Sequence, residues 1–126
     1  MPKTIVNEET MKRINPRNLR IVNLYIKKLQ EKNISNSIVK RKSDFLIFLC
    51  WNAMYNDNLL LPTFRKTQVH NFLTWGAQNC GWSESRIKSM RSLLKTLFDF
   101  IVDFLYDEYP NFHNPIERLP NKQSQQ

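Results

Sequence analysis

Glycine is nearly absent from this 126-residue chain, which has only two. All-β folds use glycine at their tight hairpin turns, and dinucleotide-binding folds use it where backbone must approach a phosphate. Neither class fits. Cysteine is equally scarce: Cys50 and Cys80 are too few and too far apart for a zinc site, and neither lies in a CxxC pair. They read as idle or buried thiols of a reducing cytoplasm. No apolar run reaches the roughly 18 residues of a membrane span. The first nine residues lack the apolar centre of a signal peptide, so the expectation is a cytoplasmic protein with no membrane partner. Acidic residues are the minority charge, 11 against 19 Lys and Arg, and the net charge of +8 favours a polyanionic partner, nucleic acid before membrane. An ordinarily soluble basic domain is the alternative on charge alone.

What is present is enough for one modest core. A hydrophobic content of 41% with 12% aromatics suits a single all-α domain of this length. The longest helical pattern, Ser83 to Tyr106, contains neither Gly nor Pro. Ile87, Met90, Leu94, Leu97, Ile101 and Leu105 form one apolar stripe, and Leu93, Phe100 and Phe104 widen it. Arg86, Lys88, Arg91 and Lys95 crowd its first turns, and Ser83 is its expected N-cap. Such a helix, apolar late and basic early, presents its positive start to an anion.

Residues 1–14 are polar and mixed in charge. A short helix is possible around Glu8 to Arg13, but with little apolar surface to hold it the segment reads as a flexible arm. Asn15-Pro16 then opens a helix reaching about Lys32, with Leu19, Val22, Ile26 and Leu29 on its core face and Ile21 and Tyr25 alongside. Ser35 or Asn36 caps a second helix, Ser37 to Tyr55, whose Ile38, Phe45, Phe48, Leu49 and Asn52 share a face and whose start carries Lys40, Arg41 and Lys42. It repeats the long helix's design, although such lysine runs commonly coat a solvated face. Asn56 to Lys66 reads as a surface loop pinned by Leu59, Leu60 and Leu61. A third helix runs from Lys66 to Asn79 with Val69, Phe72, Leu73 and Trp75 packed, and Gly81 is its stop. Asp107 and Glu108 at the negative end of the long helix call for a basic side chain to answer them. Tyr109 to Pro115 follows an extended, turning path, Ile116 to Pro120 adds a short turn, and residues 121–126 form a polar tail.

Candidate chemistry is thin. His70 and His113 are lone histidines without triad or metal partners. Asp99, Asp103 and Asp107 recur every four residues and fit pairing with Lys95 or Arg91 better than acid and base work. Trp51, Trp75 and Trp82 can stack on bases, but their positions fit the core. No tyrosine has an Arg-His constellation to activate it. No catalytic residue, cofactor or small-molecule ligand is expected.

Three stretches together resemble a known family. They are Ser35-Asn36-Ser37-Ile38-Val39-Lys40-Arg41-Lys42-Ser43-Asp44-Phe45 with Phe48-Leu49, then Trp82-Ser83-Glu84-Ser85-Arg86-Ile87-Lys88 with Leu94, and Asn114-Pro115-Ile116 ending at Leu119-Pro120. In order and spacing they are similar to the core-binding domain of the tyrosine recombinases, or phage integrases, over residues 15–120. The family pattern carries Thr at the positions of Ser37 and Arg86 and an aromatic at that of Arg41. The resemblance implies a SAM-like bundle of four main helices, with residues 121–126 leading toward a catalytic domain that these residues do not include. It therefore implies the amino-terminal part of a site-specific recombinase, not itself an enzyme, bound to double-stranded DNA at a recombination core site beside other protomers. The starts of the second and fourth main helices then face DNA through Ser37, Lys40 and Arg41 on one side and Ser85, Arg86, Lys88 and Ser89 on the other. Lys42, Arg91 and Lys95 lie further out. Serine hydroxyls and helix-start N–H groups suit phosphate oxygens, and Arg86 or Lys40 can reach a guanine edge. The alternative is a helical protein-interaction module that mediates subunit contacts through a Phe-rich surface.

Overall fold

The computed structural model describes residues 5–32 and 38–116. Five α-helices and one 3-10 turn follow in order: α1 (Glu8–Arg13), α2 (Pro16–Glu31), α3 (Ile38–Tyr55), the turn Leu61–Thr63, α4 (Lys66–Asn79) and α5 (Glu84–Phe104). Among the described residues there is no strand, and the fold is all-α. The capping residues Ser35 and Asn36, most of the expected turn at 116–120 and the polar tail at 121–126 lie outside the described residues.

The helices begin where side chains can take up orphan backbone donors. Asn7 accepts from the Thr10 amide, Asn15 from Arg17 with Pro16 at the first helical position, and Ser83 from Arg86. At the start of α4 the Gln68 side chain reaches back to the Arg65 amide at 2.7 Å. α4 ends at Cys80, and Gly81 turns the chain with a left-handed φ of 66° so that the Trp82 amide bonds back to the Gly76 carbonyl.

Phe48, fully buried, is the hub of the core. Its ring meets Phe64 at 5.3 Å, Phe72 of α4 at 4.9 Å and Phe98 of α5 at 6.3 Å, all edge-on, and stacks with Trp51 at 6.4 Å. Ile21, Val22, Tyr25, Ile26 and Leu29 bring α2 into the same core, and Met90, Leu94, Leu97, Phe98 and Ile101 form the α5 side. Phe98 stands beside the expected stripe and is as buried as its members. Phe104 is a correction: it was expected to widen the buried face, yet it is 55% exposed, stacked on Phe100 with the Lys28 ammonium 4.0 Å from its ring centroid. Phe104 leaves the core while Ile101 and Leu105 of the main stripe, on either side of it, stay buried.

The loop after α3 is held by asparagines. Asn18 and Asn52, both fully buried, donate to the Leu59 carbonyl at 2.7 and 2.8 Å, and Asn18 also accepts from the Leu61 amide. Asp57 and Asn58 take left-handed backbone conformations, which their short polar side chains tolerate. Asn58 then bridges the Arg13 carbonyl and the Asn15 amide. This places Leu61 in the core with its buried backbone polar groups satisfied.

A second correction concerns the arm. Residues 5–14 are not loose: α1 packs on α3, Thr10 and Ile14 are buried, and Ile5 and Val6 lie against the core. The apolar surface is shared: Ile5, Val6 and Ile14 come from the segment, and α3 supplies the face on which α1 packs. At the far end of α5 the expected basic answer is Arg20 of α2, whose guanidinium makes two hydrogen bonds to Glu108 at 3.0 and 3.3 Å and has its pKa raised by that carboxylate. Phe112 and Ile116 are buried, so the turning segment after α5 caps the core.

Gly76, inside α4, is a packing glycine. A Cβ built there would overlap the six-membered ring of Trp82. Gly→Ala in a helix interior ordinarily stabilises by about 1 kcal/mol. Here Gly76→Ala is expected to destabilise by about 1–3 kcal/mol through overpacking. Urea unfolding of the variant reads the sign directly, and a stabilised protein would contradict this packing.

Candidate nucleic-acid interface

The starts of α3 and α5 lie side by side because apolar packing downstream draws them together. Phe45 and Phe48 of α3 and Met90 and Leu94 of α5 are fully buried. Upstream of them both helices turn polar. There the two are joined by an ion pair that crosses 42 residues of sequence: Arg86 donates to both carboxylate oxygens of Asp44, at 2.8 and 3.1 Å. The side chains are 26% and 11% exposed, so water screens the pair weakly. The Asp44 hydrogen bonds raise the Arg86 pKa more than burial lowers it. On its other side the guanidinium carbon lies 5.4 Å from the Trp82 ring centroid.

Beside this pair runs an open furrow of about 820 Å³. Arg41 of α3 contributes from one helix, and Glu84, Ser85, Lys88, Ser89, Ser92, Leu93 and Thr96 from α5. Ser85, Ser89, Ser92 and Thr96 recur at helical spacing and so line one face over about 16 Å. Arg41 also donates to the Tyr25 hydroxyl at 3.3 Å, which orients it and leaves further N–H groups of its five for a ligand. The furrow therefore offers two cations and four hydroxyls against one carboxylate, at the positive end of α5.

The remaining expected residues divide. Lys40 and Lys42 are exposed on the first turns of α3, outside the furrow lining. Arg86, expected to reach a base edge, is committed to Asp44. Lys95 is tied to Asp99 at 2.9 Å, the pairing expected within α5. Arg91 is half-buried and outside the lining. Ser37 lies outside the described residues. Sequence reasoning missed Ser92 and Thr96, whose signal was the four-three-four spacing from Ser85, and Asp44, for which no local pattern announces a partner on another helix.

His70 and His113 are exposed, and among the described residues no group of three or more His, Cys, Asp or Glu is placed to hold a metal ion. Burial pushes the Cys50 thiol up to about 11, leaving it protonated at neutral pH. Trp51 is core, whereas Trp75 and Trp82 are half-buried and line a second cavity of about 610 Å³ under α1. No helix among the described residues is long and apolar enough to cross a membrane. Comparison with protein-family models, curated proteins and solved structures finds no match to this chain.

Truncating one partner of the bidentate pair strands the other. Arg86→Leu is expected to lower stability by about 1–3 kcal/mol, the cost of an unsatisfied and largely buried acceptor. Lys88→Ala, on the exposed face, should stay within about 0.5 kcal/mol of wild type. Denaturant unfolding of both variants checks the contrast, and equal effects would contradict it.

Proposed function

We propose that this chain is a duplex-DNA-binding module of the kind the tyrosine recombinases use as a core-binding domain, seating the sugar-phosphate backbone at the joined starts of α3 and α5. The observation that carries it is the furrow in which Arg41 from one helix meets Ser85, Lys88 and Ser89 from the other. Hydroxyls and cations at a helix start suit phosphate oxygens. About 16 Å of hydroxyl stripe spans several phosphates, since one strand carries a charge about every 3.4 Å of duplex axis. Lys40 and Lys42 extend the positive field on the α3 side. Arg86 acts here as a staple, so binding is dominated by backbone contacts. In this reading the SAM-like bundle is a clamp half, strand exchange belongs to a catalytic domain, and further protomers share the site in the cytoplasm.

A second reading follows from Phe104 and Tyr106, 55% and 60% exposed at the end of α5. Rings left in water there fit a protein-interaction module that docks subunits. Sedimentation across a concentration range separates the two, because a strict monomer counts against self-docking.

Charge reversal tests the DNA reading. Changing Lys40, Arg41 and Lys88 together to Glu should abolish retention of duplex DNA in low salt while leaving the circular-dichroism spectrum unchanged. For wild type, three or four phosphate-bound cations give a slope of log K against log salt of about −3 to −4. Undiminished binding by the folded triple variant would place DNA on another face.

A further inference from the structure

A buried acid next to a run of basic residues demands an explanation. Asp44 follows directly on Lys40-Arg41-Lys42-Ser43, one turn beyond Arg41, in a chain with few acids to spare. By Coulomb's law alone it weakens any hold on a polyanion. Its place in the fold gives it another role. The packing that fixes α3 against α5 begins in earnest at Phe45 and Met90, while the furrow cations Arg41 and Lys88 both lie nearer the helix starts, among exposed or half-buried residues. At that level the Asp44–Arg86 pair links the two helices. Its two parallel N–H···O bonds fix orientation as well as separation, which a single contact does not. Trp82 backs the guanidinium on its other side and is itself seated over Gly76.

We propose that Asp44 is a positioning residue for anion binding: by holding Arg86 it sets the gap between Arg41 and Lys88 that the phosphate backbone occupies. This rests on the furrow being the backbone seat. Positioning and net charge then predict opposite signs for one substitution. Asp44→Asn is nearly isosteric, adds one positive charge and leaves Arg86 at most one neutral acceptor in place of the two-point ion pair, so charge alone predicts tighter binding. Loss of positioning predicts weaker binding, because Arg41 and Lys88 no longer converge on the same strand.

The experiment is fluorescence anisotropy of a labelled 20-base-pair duplex, titrated with the full 126-residue chain at low salt and across a salt series. Wild type should bind. Asp44→Asn should bind about five- to tenfold more weakly with a shallower salt slope. Asp44→Glu, which keeps the carboxylate and changes the shape, should stay within about twofold of wild type. A role in packing alone would reverse that order and leave Asn better tolerated than Glu. Thermal unfolding shows which variants are folded at the assay temperature. Should Asp44→Asn not fold, Arg86→Lys replaces it, keeping the net charge while losing the fork, and the same weakening is expected. Equal or tighter binding by folded Asp44→Asn or Arg86→Lys overturns the proposal while leaving the furrow reading intact. Wild-type protein that does not bind duplex at low salt overturns both.

Discussion

The edge-on contacts of Phe48 with Phe72 and Phe98 set the geometry on which the rest of this molecule depends. They join α3 to α4 and α5 at mid-length, and with Phe64 they draw in the loop that precedes α4. Each aromatic pair is worth about 0.5–1.5 kcal/mol beyond the area it buries, so one residue fixes three segments. Because α3 and α5 are both apolar late and polar early, clamping their middles leaves two polar starts projecting together. The basic face is a consequence of where the core stops.

Electrostatics then sorts the cations into two sets. Arg20, Arg86 and Lys95 are paired with Glu108, Asp44 and Asp99. Of these, only Asp44–Arg86 lies where water is largely excluded, and it is the one with consequences for shape. Exposed pairs such as Lys12–Glu8 and Arg13–Glu9 contribute little. Arg41 and Lys88 face the furrow together with a row of hydroxyls. A helix start already favours anions through its free N–H groups, and the strip runs along the first turns of α5 from Glu84. Hydroxyls and amines tolerate varied geometry, so the strip suits a repeating backbone better than a particular base.

Much of the fold was legible because its signals are local. Asn15-Pro16, Ser83 and Gly81 mark helix ends through interactions within a few residues, and the observed bounds of α2, α4 and α5 fall within two residues of those the pattern predicts. Phe98 was passed over because it flanks the main stripe, and Phe104 was misplaced because the core covers Ile101 and Leu105 but not the flank on which Phe104 lies. The α1 segment looked loose because its few apolar residues, Ile5, Val6 and Ile14, find their partners in the core and on α3, distant in sequence. The furrow was half legible. Arg41, Lys88, Ser85 and Ser89 stand out as basic or capping residues near helix starts, whereas the partners of Arg86 and Arg41 are set by tertiary packing that no spacing encodes.

Chemical-shift mapping by NMR, with the isotope-labelled chain titrated by a short duplex in low salt, tests the central claim most directly. Shifts gathered on Arg41, Ser85, Lys88, Ser89, Ser92 and Thr96, with the core signals of Phe48, Phe72 and Phe98 unmoved, are the predicted result. Shifts centred instead on Phe104 and Tyr106, or scattered without a focus over the surface, would contradict it.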